Sequence, residues 1–233
     1  MNSFKIISIV FLSLLIASCN KDDNQSSGIG DVLIITKKSG TNDVYGLSLY
    51  AYTFSSFKSV AATSSAEPGK TYTLKANQGY KTNFLYETPD SDYTAVKPVA
   101  ATFNFSAVFE NGVTQEFQNV LSDKVLSPAI IDTCQWNSSK HSLKLIWEPV
   151  TNAESYAINI MDGNTLAYSS PELPTTMNAV WLNSQLSGWT SGNAPVSGKT
   201  YKVIVFSYLL ETVKSAYNIQ CVSIGESDAV WGE

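Results

Sequence analysis

The sequence predicts an all-β protein built as two antiparallel β-sandwich domains, and three observations predict it. Segments that alternate apolar and polar residues at period two recur from residue 31 onward. Turn-forming residues separate them at short intervals, and no long amphipathic helix interrupts the series. The length of 233 residues exceeds what one domain usually takes, and 44% hydrophobic with 12% aromatic residues is enough for packed cores.

The first element is not part of either sandwich. Ile6 to Ile16, "IISIVFLSLLI", is apolar and preceded by a single charge, Lys5. Eleven residues suit the core of a signal peptide and fall short of the ~20 that span a bilayer. Ile16-Ala17-Ser18-Cys19 resembles the bacterial lipobox, an aliphatic residue and two small ones before a cysteine that becomes acylated. The resemblance implies that residues 1–18 are removed, that Cys19 carries acyl chains, and that the membrane is a partner through them. Residues 19–30 then read as an acylated cysteine and flexible tether, polar and Gly/Ser-rich. Within it Lys21, Asp22 and Asp23 resemble the export signal that carries lipoproteins to the outer face of the outer membrane in some Gram-negative bacteria.

Residues 31–125 form the expected first sandwich, with strands over "DVLIITKK" (31–38), "GLSLYAYTF" (46–54), "KTYTLKA" (70–76), "YKTNFLYE" and "ATFNFSAVFENGVTQEFQNV". Leu47, Leu49 and Ala51 share one face of the second segment, and Tyr50, Tyr52 and Phe54 the other. Phe103, Phe105, Ala107 and Phe109 share a face of the last one. Asn111-Gly112 predicts a tight hairpin with positive φ values.

A boundary falls near "SDKVLSPAI", and residues 126–233 carry a resemblance. "SLKLIWEPV" (142–150) is similar to the B strand of fibronectin type III domains, with Leu143, Leu145 and Trp147 facing inward and Pro149 ending the strand. "AESYAINI" (153–160) resembles the C strand, "GKTYKVIVFSY" (198–208) the F strand, and "AYNIQCVSI" (216–224) the closing G strand. The resemblance implies an immunoglobulin-like sandwich with a tyrosine corner at Tyr201. One departure stands out: "SGWTSGNAPVSG" makes an unusually long connection between Leu186 and Lys199. On the same resemblance Cys134 and Cys221 fall near the first and last strands, which implies a possible disulfide between them in an oxidising compartment.

Composition excludes some functions. Net charge is −5 and every one of the 15 basic residues is Lys, so the Arg-rich stripe of a nucleic-acid binder is missing and no nucleic-acid partner is expected. "SGKT" (197–200) invites a phosphate-loop reading, but five residues separate Gly192 from Gly198 where the motif needs four, and a β-branched run follows instead of a helix. "PGKTYTL" (68–74) repeats the same pattern, which reads as a turn entering a strand. His141 is the only histidine, so a histidine-clustered metal site is excluded, and no metal or cofactor is expected. The carboxylate pairs Asp90/Asp92 and Glu226/Asp228 read as solvated loop acids. Calcium at the first pair would have few ligands.

The expected function is therefore non-catalytic: a lipid-anchored outer-membrane or cell-surface lipoprotein acting as a binding, adhesion or spacer module toward an unidentified protein or glycan. The alternative is a glycan-binding accessory lipoprotein of a polysaccharide-capture system. Trp189, Trp181 and Tyr168 would supply stacking rings for it, with Asn183 and Asn193 as polar partners and Trp189 exposed in the long loop. A carboxylate-dependent surface hydrolase is the weakest reading, since no nucleophile motif is present.

Overall fold

The computed structural model describes residues 26–190, 194–212 and 219–232, and within them the regular structure is strand apart from two short 3-10 turns. Cys19, Lys21, Asp22, Asp23 and Asn193 lie outside the described residues. The first half contributes β1 (Gly28–Ser39), β2 (Asn42–Thr53), β3 (Phe57–Ser64), β4 (Thr71–Asn77), β5 (Tyr80–Glu87), β6 (Ala101–Phe109) and β7 (Thr114–Leu121). They pair antiparallel in the order β1-β2-β5-β4-β3-β6-β7, and the sheet folds over so that β1 packs against β7.

Alternation decides what the fold encloses. Leu47, Leu49 and Ala51 of β2 face Phe103, Phe105, Ala107 and Phe109 of β6 across one core, joined by Val32 and Ile34 of β1 and by Phe57 of β3. Close approach needs glycine at one point. A Cβ on Gly30 would stand 2.7 Å from the Phe117 ring and 2.9 Å from Phe105, and those two rings stack at 5.3 Å over the bare backbone. The Asn-Gly hairpin departs from expectation. Among its residues only Gly112 takes a positive φ, 83°, and Phe109 N–H donates to the Val113 carbonyl at 2.8 Å, so this is a three-residue loop ending on a left-handed glycine.

The second half contributes β8 (Ile131–Asn137), β9 (Ser142–Trp147), β10 (Ser155–Asp162), β11 (Thr165–Ser169), β12 (Leu173–Pro174), β13 (Ala179–Leu182), β14 (Thr200–Leu210) and β15 (Ile219–Val230). One sheet runs β13-β9-β8 and the other β11-β10-β14-β15, with β12 beside β10. Lettered along the chain, these are E-B-A and C′-C-F-G, the arrangement of a fibronectin type III sandwich. Trp147, Leu145, Ile158, Ile160, Val203 and Val205 are fully enclosed between the sheets. Tyr201 makes the corner despite the long loop before it, because its hydroxyl accepts from the Val196 N–H at 3.0 Å. The buried leucine ending strand E is Leu182, at 2% exposure, while Leu186 lies outside at 36%.

The two halves share one sheet. β1 pairs in parallel with β15, Ile34 opposite Cys221 and Lys37 opposite Ile224, so a twelve-stranded sheet, eleven strands in continuous order with β12 beside β10, joins the two halves. Cys221 therefore packs in the first core, as does Leu126 from the far side of the expected boundary. The segment between the halves crosses beneath this joint. Ser223 Oγ donates to the Ser127 carbonyl at 2.9 Å, and a Cβ on Gly225 would meet the Ala129 carbonyl oxygen at 2.3 Å. Gly225→Ala must push that segment away, and it is expected to cost about 1–3 kcal/mol, the usual range for overpacking a close contact. A lowered urea midpoint with an unchanged slope would bear this out; a wild-type midpoint would show that the joint yields freely.

Candidate functional site

The aromatic residues singled out from sequence do not form a binding platform. Tyr168 is buried, and Trp189 is half-buried with its ring centre 5.0 Å from Tyr168 and 5.2 Å from Trp231. The long loop is the cause. It returns along β11, where Ser169 N–H donates to the Gly188 carbonyl at 3.0 Å and Thr190 N–H to the Ala167 carbonyl at 2.9 Å. Trp189 Nε1 is spent on the Asn183 carbonyl at 2.9 Å, and Asn183 Oδ1 accepts from the Gln185 N–H. These residues close the end of the second core. Trp181 lies apart, on the outer face of β13 with the Lys140 ammonium 4.3 Å from its ring centre and that of Lys144 at 5.7 Å.

The disulfide expectation is also corrected, since both thiols are free. Cys221 belongs to the first core, whereas Cys134 packs on the second and sits near Ser227 and Asp228, six residues farther along β15. At roughly 3.3 Å per residue that offset is about 20 Å, far beyond disulfide reach. Burial pushes both thiols up to about 11. Both sulfurs are therefore poor nucleophiles at neutral pH.

The acids behave as surface groups. Asp90 pairs with Lys37 at 2.8 Å and Glu226 with Lys202 at 3.1 Å. His141 takes a left-handed φ of 45° at the end of a short 3-10 turn. Among the described residues no three His, Cys, Asp or Glu side chains gather as a metal site.

What the strands do bring together is a groove that sequence reasoning missed. It has a volume of about 410 Å³ and sits at the end of the first sandwich where β2, β4 and β6 begin and β3, β5 and β7 end. That volume is within the range of small-ligand sites. Its inner wall is aromatic: Tyr72 meets Tyr86 edge-on at 5.2 Å and Phe103 at 5.7 Å. Glu67 accepts the Tyr72 hydroxyl, and Lys70 Nζ lies 3.1 Å from Glu67 and 4.8 Å above the Tyr72 ring. Burial, reinforced by Glu67, pushes the Tyr72 phenol up to about 12, and the same hydrogen bond holds the Glu67 carboxyl below its ordinary value. The other wall is the connection from β5 to β6. Tyr45 exchanges backbone hydrogen bonds with Thr94 at 2.8 and 3.2 Å, and Lys97 Nζ reaches the Asp123 carbonyl at 3.0 Å. Gly46 makes this docking possible, because a Cβ there would stand 2.6 Å from the Tyr93 ring. Val96 and Val99 are left exposed at the mouth. The lining sets tyrosines, carboxylates and ammonium groups side by side.

One buried acid stands elsewhere. Asp31, 4% exposed on β1, faces the outer side of the shared sheet opposite Tyr50, and its Oδ1 accepts from the Val32 N–H at 2.8 Å. The Tyr50 side chain opposite interacts with the carboxylate and pulls against the effect of burial. Burial, with Glu211 adding repulsion, raises its pKa to about 6 from an ordinary 3.8. Between those values the folded protein keeps a proton that the unfolded chain has released, so stability falls as pH rises from about 4 to about 6 and stays lower above. Asp31→Asn keeps the acceptor and removes the charge. It is expected to exceed wild type by about 2–3 kcal/mol near neutral pH and to lose that advantage below pH ~4. Urea midpoints across this interval would measure it, and a flat difference would overturn it.

No family model matches the sequence, and no curated protein matches it. Among solved structures, a two-domain fibronectin type III segment of chicken tenascin aligns over 86% of this chain and 99% of its own, with 16% identity and a TM-score of 0.31. Fibronectin(III)-like modules of Clostridium thermocellum CbhA align over 88% of this chain and 94% of theirs, at 9% identity and a TM-score of 0.26. A cycloalternan-degrading enzyme from Trueperella pyogenes, in complex with cycloalternan, aligns over 79% of this chain and 33% of its own, at 9% identity and a TM-score of 0.30. The fibronectin type III character of the second half is carried by its own strand order, E-B-A over C′-C-F-G.

Proposed function

We propose that this chain is a bacterial lipoprotein, anchored through acyl chains on Cys19 in the outer membrane and displayed on the cell surface as a non-catalytic binding module. Two features support the reading: the lipobox resemblance at Ile16–Cys19, and the position of the groove. The described chain begins at the end of the first sandwich opposite the groove. A protein held there carries the groove at the end away from its attachment. The second half, an edge-to-edge continuation of the same sheet, serves as a rigid extension of that body.

A glycan is the ligand we favour second to a protein segment. Tyr45 and Tyr86 present half-buried rings beside Glu67 and Asp92, a combination of stacking face and hydrogen-bonding acid that suits a sugar ring. A hydrolase is disfavoured because Asp90 and Glu226 already hold lysines and Glu67 holds Tyr72.

The anchor is tested by metabolic labelling with an alkyne fatty acid followed by external protease. Wild type is expected to take the label and be shaved from intact cells, and Cys19→Ala to lose the label. Asp22→Ala with Asp23→Ala is expected to keep the label and become protease-resistant. A labelled wild type that external protease never reaches would refute surface display. Binding is tested on polysaccharide and peptide arrays, where Tyr86→Ala should lower affinity about tenfold or more if its ring is a central contact. An unchanged profile would remove the groove from the reading.

A further inference from the structure

The end of the first sandwich opposite the groove carries its own pattern. There β1, β3, β5 and β7 begin and β2, β4 and β6 end, so its surface is made of the loops at 53–57, 77–80 and 109–114 and the start of β1. Each supplies an apolar side chain to solvent. Phe54 is 93% exposed, Tyr80 66%, Ile29 58% and Val113 47%. They are neighbours by structure: Ile29 pairs with Tyr52, whose ring stands 5.2 Å from that of Phe54. Glu110 N–H donates to the Ser56 carbonyl, and Lys81 beside Tyr80 pairs with Glu110 at 2.6 Å. Val113 N–H closes on Asn111 Oδ1. Lys58 at the start of β3 also acts on Glu110, so two lysines flank one carboxylate at this rim.

The same end receives the chain from Cys19. Thr53 Oγ1 donates to the Ser27 carbonyl at 2.6 Å, Gly28 N–H to Gln115 Oε1 at 2.9 Å, and Asn111 Nδ2 to Ser26 Oγ at 2.9 Å. The point of attachment is thus fixed among the four apolar side chains. From Cys19 to Gly28 the backbone reaches at most about 30 Å when fully extended. A flexible chain of that length averages roughly 15–18 Å end to end. An acylated cysteine would hold this rim at a mean distance of roughly 15–18 Å, close enough for it to settle on the bilayer without straining the tether.

We infer that Ile29, Phe54, Tyr80 and Val113 form a membrane-contact rim that rests in the headgroup region of the bilayer holding the anchor. The occupant is a lipid surface because the tether ends inside the patch, and because apolar and aromatic side chains flanked by Lys58 and Lys81 suit the headgroup interface. The rim fixes the orientation of the body, groove outward, which the acyl chains alone cannot do. This inference rests on the anchored reading above.

The test uses the full acylated protein in vesicles of phosphatidylethanolamine and phosphatidylglycerol. A polarity-sensitive fluorophore is placed through Ser55→Cys at the rim, or through Lys97→Cys at the groove end, with the parent protein as the blank for its own buried thiols. Membrane-embedded quencher lipids are expected to remove most of the emission at position 55 and little at position 97. Adding Ile29→Ser and Phe54→Ser to the rim-labelled protein should abolish that difference while vesicle association persists through the anchor. Equal quenching at the two ends, in a protein whose mass carries its acyl chains, would overturn the rim and leave the anchor standing. A mass without acyl chains would remove both.

Discussion

The parallel pairing of β1 with β15 is the constraint on which the rest of the molecule depends. It joins the first described strand to the last across almost the entire sequence, so the first core, which takes in Cys221, is not complete until the two strands have met. Cys221, contributed by β15, is part of the first core, and the segment from Ser127 to Ala129 must thread beneath the joint. A contact of such sequence separation is entropically costly to close. What it gives in return is rigidity. Two sandwiches joined by a linker would swing, whereas two that share a sheet hold a fixed relation between the groove and the second, fibronectin type III-like half.

Both halves solve one local problem in the same way. Gly-Lys-Thr-Tyr occurs at Gly69–Tyr72 and at Gly198–Tyr201, each glycine with positive φ, at 91° and 79°. In each case the lysine N–H closes a turn three residues back, at Glu67 and Val196, and the tyrosine hydroxyl returns to that same residue. In each the lysine ammonium lies over the tyrosine ring, at 4.8 and 5.7 Å. The motif that invites a phosphate-loop reading is a repeated corner that starts a long strand. In the first half its partner is a carboxylate side chain instead of a backbone N–H, and that substitution puts a charged, hydrogen-bonded acid at the wall of the groove.

The legibility of the sequence followed its periodicity. Alternation placed Leu47, Leu49 and Ala51, the four residues from Phe103 to Phe109, and Leu143, Leu145 and Trp147 on the faces that are buried. It missed β3 because a bulge between Phe57 and Ser59 breaks the period, leaving Phe57, Val60 and Ala62 as the inward set. Trp189 looked exposed because a long loop usually is, and nothing in "SGWTSGNAPVSG" announces that its backbone will extend the edge of β11. The groove was illegible for a deeper reason. Tyr45, Glu67, Tyr86 and Lys97 are scattered over some fifty residues, and only the strand order brings their ends together.

That strand order also gives the first sandwich its polarity. In an antiparallel sheet each strand begins where its neighbours end, so every loop falls at one of two ends, and the ends can specialise independently. One end here pins the segment leading from the tether with three hydrogen bonds and surrounds it with exposed apolar side chains. The other folds the long β5–β6 connection over tyrosines and a hydrogen-bonded acid. β1 spans the distance between them, twelve residues or about 40 Å of strand. Because β15 is paired to that strand, the second sandwich inherits the same direction, and an attachment at one end of β1 orients everything else in the molecule.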